Sequence, residues 1–140
     1  MRSLNDATKA LDPFVRSWRL TGIAHNDFYD DQMLVLRDGS IALVDFEEAG
    51  PGDPLLDVGN FLAHLRWASC FGCKGRQGSG AYYRQFRHAA LERFRWADRD
   101  LTLREAVCLF RICTNTIRRP QGDWHDRLEA ELSLVSETLG

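Results

Sequence analysis

A chain of 140 residues with 44% apolar, 11% aromatic and 27% charged side chains carries enough apolar material for a packed core, and this composition excludes disordered, collagen-like and coiled-coil chains. Eighteen basic side chains against twenty acidic ones leave a formal charge of -2, which offers no general attraction to nucleic acid or to anionic membranes, so neither is expected as a partner. The longest unbroken apolar run, residues 106–110, is far too short to span a bilayer, and residues 1–6 lack the apolar segment of a secretory signal; a cytoplasmic protein is expected.

Residues 1–18 read as a helix, with Asp12-Pro13 patterned as an N-cap followed by proline at a first helical position. Three short apolar runs follow, at 20–24, 33–36 and 41–46. The last two flank Arg37-Asp38-Gly39-Ser40, and Asp-Gly between apolar runs is a strong hairpin signal, so a small sheet confined to the first third is expected. After Gly50-Pro51-Gly52, Asp53 caps a helix opened by Pro54, whose apolar stripe is Leu55, Val58, Phe61, Leu62 and Leu65. Gly72, Gly75, Gly78 and Gly80 mark 69–80 as a loop, but without the residue order of a phosphate-binding loop. Helices are expected over 82–96, 102–118 and 124–139. The second of these opens on a Thr102–Glu105 capping box, and its Leu103, Ala106, Val107, Phe110, Cys113, Thr114 and Ile117 follow the rhythm of a buried face.

Four cysteines, Cys70, Cys73, Cys108 and Cys113, are expected to remain thiols. Cys70-Phe-Gly-Cys73 has the spacing of a zinc knuckle or a redox pair. A second tight pair is missing, because Cys108 and Cys113 lie five apart on an expected helix and point in different directions, which favours ordinary thiols over a metal module.

The chemistry-bearing stretch is His25-Asn26-Asp27-Phe28-Tyr29-Asp30-Asp31-Gln32, followed by the hairpin and Val44-Asp45-Phe46-Glu47. Taken singly, each acid fits ordinary turn chemistry. Taken together, the hairpin folds Asp27 and Gln32 back toward Asp45, and carboxylates beside an amide oxygen suit magnesium, which takes one or two protein carboxylates and fills its remaining positions with water and phosphate oxygens.

These residues resemble the aminoglycoside phosphotransferase-like small-molecule kinases, relatives of the protein kinases. That family carries H-x-D-x-x-x-x-N, a hairpin, I-D-[FW]-x and G-D-P-x-x-D in this order. The matching segments are His25-Asn26-Asp27 through Gln32, then Val44-Asp45-Phe46-Glu47, then Gly52-Asp53-Pro54-Leu55-Leu56-Asp57. Gln32 stands where the family has asparagine, one methylene longer with the same amide oxygen. The resemblance is dense over 20–65, and the helices beyond it look like the family's substrate-side helices.

The resemblance implies an α+β, mostly helical fold: residues 1–140 as a single domain like the C-terminal, large lobe of the kinase fold, with a short β-hairpin element. It implies Asp27 as the catalytic carboxylate, Gln32 and Asp45 as magnesium ligands, and His25 and Asp57 as supporting residues, His25 organising the loop and Asp57 hydrogen-bonding its backbone. The implied cofactor is Mg2+ with ATP or GTP, and the reaction is transfer of phosphate from the nucleoside triphosphate to a hydroxyl of a small molecule. Only 24 residues precede His25, and neither Lys9 nor Lys74 lies in a strand pattern that could anchor phosphate. The family's small lobe is therefore expected to be absent from this polypeptide, leaving it incomplete as a stand-alone kinase. A separately supplied small lobe, or a homodimer that hides the uncovered surface, is an expected partner. The alternative is a non-catalytic remnant that binds a small molecule or a protein.

Overall fold

The computed structural model describes residues 4–71 and 79–140. In chain order these form helix α1 (Leu4–Ser17), strand β1 (Gly22–Ala24), a single 3-10 turn (Asp30–Gln32), strands β2 (Met33–Val35), β3 (Ile41–Leu43) and β4 (Gly50–Gly52), and helices α2 (Pro54–Phe71), α3 (Ser79–Phe94), α4 (Asp98–Arg118) and α5 (Trp124–Leu139). The architecture is α+β and mostly helical, with two separate two-stranded antiparallel sheets.

The expected hairpin is β2–β3, in register Met33↔Leu43, Leu34↔Ala42 and Val35↔Ile41. Its turn is closed by the Leu36 N–H donating to Ser40 O at 2.8 Å, and by the Asp38 carboxylate accepting from the Ser40 N–H and hydroxyl. The third apolar run leaves the strand early because Asp45 adopts φ 63°, in the left-handed region, which ends the extended backbone. Residues 50–52, expected only as a break, form β4 and pair with β1, placing Gly22 opposite Gly52 and Ala24 opposite Gly50. Gly52 permits this approach: a Cβ there would fall 2.6 Å from Ala24 Cβ and would collide with the Asn26 side chain.

Helix α2 starts as expected. The Asp53 Oδ1 accepts the Leu55 N–H at 3.0 Å, and Pro54 occupies the first turn, where its missing N–H costs nothing. This helix is the centre of the fold. Val58, Leu62, Ala63, Leu65 and Ala68 are buried along different faces, against α4, α3 and the α5 side. Leu109, Ile112, Leu132 and Val135 complete the larger core, and Val58, Leu62, Ala90 and Leu101 form a second one beneath α3. Helices α2 and α4 approach tightly at Gly59, where an added Cβ would lie 2.8 Å from Arg104 Cβ and 2.9 Å from the Glu105 nitrogen.

Three expectations are corrected. Asp12-Pro13 does not open a helix: α1 runs through Pro13, Asp12 pairs with Arg16 one turn later at 2.6 Å, and burial of Ala7 and Leu11 against the main core holds the helix on the N-terminal side of the proline. Thr102 and Glu105 do not form a capping box, since α4 begins at Asp98. Glu105 is instead fully buried, with Tyr83 Oη at 2.9 Å, Arg87 Nη1 at 2.9 Å and Arg66 Nη1 at 3.2 Å, because a carboxylate without water must find donors from several elements. The loop read at 69–80 is helical through Phe71 and again from Ser79; residues 72–78 lie outside the described residues.

Cys70 is exposed, whereas Cys108 and Cys113 are buried thiols, both pushed up to about 12 by burial, so they stay protonated and inert at neutral pH. Cys73 lies outside the described residues, and with it the Cys70–Cys73 metal reading. Among the described residues no helix is long and apolar enough to cross a membrane.

The contact at Gly59 predicts that Gly59→Ala forces α2 and α4 apart and lowers stability by about 1–3 kcal/mol. Gly80→Ala, where the nearest atom is the flexible end of Arg84 at 3.9 Å, should be neutral or slightly stabilising. Urea unfolding of both variants checks this; equal midpoints would show that the helices can separate without cost.

Candidate active site

The segment 25–32 crosses the N-terminal half of α2, and α2 fixes its course. Asp57 lies one turn into α2 and presents both carboxylate oxygens to consecutive backbone donors: Oδ2 accepts the His25 N–H at 2.7 Å and Oδ1 accepts the Asn26 N–H at 2.8 Å. Two donors meet one carboxylate because Asn26 adopts φ 66°, a left-handed bend that asparagine tolerates better than most residues. The Asn26 amide secures the bend further by donating to Glu48 O at 2.8 Å. His25 is buried, bonds Val44 O through Nε2 at 2.9 Å and packs its ring against Phe28 and Phe46. Its Nδ1 is buried without a hydrogen-bond partner. His25 thus ties the start of the loop to the strand that leads into Asp45.

At the other end of the segment the backbone tightens into the 3-10 turn, and the Gln32 carbonyl accepts the Val44 N–H at 3.0 Å. This bond carries the hairpin ladder one step beyond β3 and brings the side chains together: Gln32 Nε2 donates to Asp45 Oδ2 at 3.1 Å. Gln32 is buried, which limits the freedom of its longer side chain. Asp27 is 37% exposed, and its Oδ1 accepts from Arg111 Nη2 at 3.1 Å. Asp27, Asp31, Asp45 and Asp30 all act on the Tyr29 hydroxyl. Burial, and then these four carboxylates, push its ionisation above the usual range, so the loop surrounds Tyr29 with negative charge.

Three residues of this site carry no motif and were not anticipated. Asn60 is buried on α2; its amide donates to Phe28 O at 3.0 Å, and its Oδ1 accepts Arg111 Nη2 at 2.9 Å. Arg111 on α4 therefore bonds Asn60 and Asp27 through one nitrogen, fixing the carboxylate relative to the helices. His64 stacks on Tyr29 with ring centroids 4.4 Å apart. The signal for two of the three was present, since Asp57, Asn60, His64 and Trp67 recur at spacings of three and four and form a polar stripe on a mainly apolar helix. Arg111 had no such signal: its partner Asp27 is 84 positions away in sequence.

Among the described residues no group of three or more His, Cys, Asp or Glu could hold a metal by itself. The Asp45–Gln32 pair offers oxygen chemistry suited to a hard cation, but only for one that draws its remaining ligands from water and a phosphate-bearing substrate.

The Asp57 geometry predicts that Asp57→Asn replaces an acceptor with a donor facing a backbone N–H. Hydrogen bonds to charged groups contribute about 1.5–3 kcal/mol, so exchange of the His25 and Asn26 amides should accelerate at least about tenfold, while α5 amides are unchanged. Native-like protection at 25 and 26 would show that the loop holds itself without α2.

Comparison with curated proteins and with solved structures gives no match. A family model, that of the phosphotransferase enzyme family (APH), matches residues 3–105 of the 140, a span that takes in the whole segment 25–32, the hairpin, Asp45 and Asp57. By that match the chain belongs to the phosphotransferase enzyme family.

Proposed function

We propose that the chain is the C-terminal lobe of a small-molecule kinase, a single domain over 1–140 that supplies the acceptor-side half of a site transferring phosphate from ATP or GTP to an alcohol. The observation that carries this reading is the meeting of Gln32 and Asp45 at 3.1 Å, beside a loop in which Asp27 is held by Arg111. In this reading the acceptor hydroxyl oxygen forms a bond to the γ-phosphorus as the bond to the bridging oxygen breaks. The nucleoside diphosphate leaves with that electron pair, and the hydroxyl proton passes to Asp27.

Arg111 and Asn60 keep the Asp27 carboxylate in one orientation, so little reorganisation is needed when the hydroxyl arrives. Asp57 and His25 act through the backbone and position the loop. Asp45 and Gln32 would hold Mg2+, the amide then presenting its oxygen; the ion would neutralise charge on the phosphate oxygens. The rest of the nucleotide site has no counterpart among the described residues. Before His25 these form only α1 and β1, and Lys9 sits on α1, not on a strand. In this reading a small lobe from outside the described residues completes the site, and the setting is cytoplasmic.

A second reading rests on exposed apolar surface. Ile23 and Val35 are 77% and 78% exposed, and Ile41, Leu43, Phe46 and Phe94 are also uncovered; several of these border an open hollow of about 640 Å³. Such a face favours association, here with a second copy of the chain in a non-catalytic dimer.

Calorimetric titration with magnesium and a non-hydrolysable nucleoside triphosphate tests the first reading. Saturable, magnesium-dependent binding that Asp45→Ala abolishes is expected; binding that is absent, or indifferent to Asp45, overturns the metal assignment. Asp27→Ala should retain that binding and lose transfer by about a hundredfold to ten-thousandfold once a completed site is assayed. For the second reading, sedimentation equilibrium should give a dimer that Val35→Lys dissociates; a monomer at all micromolar concentrations removes it.

A further inference from the structure

We propose that the cleft between α2, α4 and α5 is the acceptor site, and that it selects a hydroxyl compound bearing a carboxylate or phosphate group, which Arg119 holds. The inference rests on the phosphotransferase reading and adds the substrate class. The cleft encloses about 310 Å³, room for a small metabolite rather than a macrocycle or peptide.

Its position suits an acceptor. His64 lines it and stacks on Tyr29, two residues beyond Asp27; Ile112 lines it directly after Arg111, whose guanidinium bonds Asp27. In this proposal a compound seated there directs its hydroxyl past His64 toward the loop that carries Asp27.

Its charge decides the class. Glu131 is the one acid in the lining and is 1% exposed. Its oxygens accept from Trp67 Nε1 at 2.9 Å, Thr116 Oγ1 at 2.9 Å and Arg127 Nε at 3.2 Å, so its charge is spent inside the protein. The Arg127 guanidinium is likewise engaged, with Glu131 and over the Trp67 ring at 5.0 Å. Burial holds His64 below its ordinary range, so it adds no charge at neutral pH.

What remains is the Arg119 guanidinium, which has no ion-pair or side-chain hydrogen-bond partner among the described residues, beside the side-chain amides of Asn115 and Gln121. A free guanidinium and two amides complement an anionic group flanked by hydroxyls. An amine-rich acceptor would bring its ammonium groups against Arg119 with no available carboxylate in the lining to receive them. Asn115, Thr116, Arg119 and Glu131 lie beyond the family match at 3–105, whereas His64 and Trp67 of the same lining lie within it.

The test uses the whole chain without nucleotide or metal and follows the Trp67 indole N–H by NMR, assigned with Trp67→Phe. The probes are glycerate, glycerol 3-phosphate, glycerol and choline, which share hydroxyl chemistry and differ in charge. Saturable shifts with the two anions are expected, with glycerol at least about tenfold weaker and choline not saturating. Arg119→Gln should weaken the anions about tenfold without changing the melting temperature. Charge-blind binding, preference for choline, indifference to Arg119→Gln, or no shift with any probe at millimolar concentration overturns the assignment. Inorganic phosphate, added as a further probe, separates capture of any anion from recognition of an alcohol: binding as tight as glycerol 3-phosphate also overturns it. Because nucleotide is absent, failure here is distinct from failure of the kinase reading, which the Asp45 titration decides.

Discussion

Helix α2 is buried on almost every side, so each polar side chain it carries has to find its partner within the protein; most of the remaining architecture follows from meeting that requirement. Asp57 is satisfied by two backbone N–H groups and thereby bends the segment 25–32 around the start of the helix. One turn on, Asn60 takes Phe28 O and Arg111; the next residues in the stripe, His64 and Trp67, take Tyr29 and Glu131. A single helical face therefore orders the candidate catalytic loop at one end and the helical cleft at the other, and a shift of α2 would move both.

Three buried acids anchor that helix to its neighbours by one chemical device. Asp53 receives Arg104 and the Trp18 indole; Glu105 receives Arg66, Arg87 and the Tyr83 hydroxyl; Glu131 receives Arg127, Thr116 and the Trp67 indole. Each combines a guanidinium with at least one neutral donor, which meets the lone pairs a lone ion pair would leave unsatisfied. Such sites add little net stability over an apolar filling, but removing one partner strands a charge. Glu105 shows the balance: burial pushes its carboxyl up, against the Tyr83 hydroxyl and both guanidinium groups, while the Tyr83 phenol beside it is pushed up to about 12. These contacts fix register between helices whose apolar faces alone would tolerate sliding.

The candidate site draws on residues both inside and outside the family match. The acids and the amide that suit a phosphate-bound cation fall within the family match, on short segments held by backbone hydrogen bonds. Arg111 and the α5 residues that shape the neighbouring cleft fall outside it.

Much was legible locally. The Asp38-Gly39 hairpin, the Asp53-Pro54 helix start and the helix at 124–139 each depend on neighbours within a few residues, and the structure has them where the sequence pattern put them. Asp27, Gln32, Asp45 and Asp57 were also identifiable, because motif order survives in the chain, and Gln32 and Asp45 do come together. What misled was the local pattern overridden by tertiary contacts: Asp12-Pro13 inside a helix, Thr102–Glu105 resembling a cap, Gly50-Pro51-Gly52 pairing as a strand with β1. The sequence by itself determined the elements and the candidate chemical groups, since turns, caps and helical stripes are short-range effects. Only the tertiary structure decided that Arg111 bonds Asp27, that Glu131 is engaged inside the protein and that Arg119 has no side-chain partner among the described residues, because pairing between charges remote in sequence depends on which helices pack together and how deeply each side chain is buried.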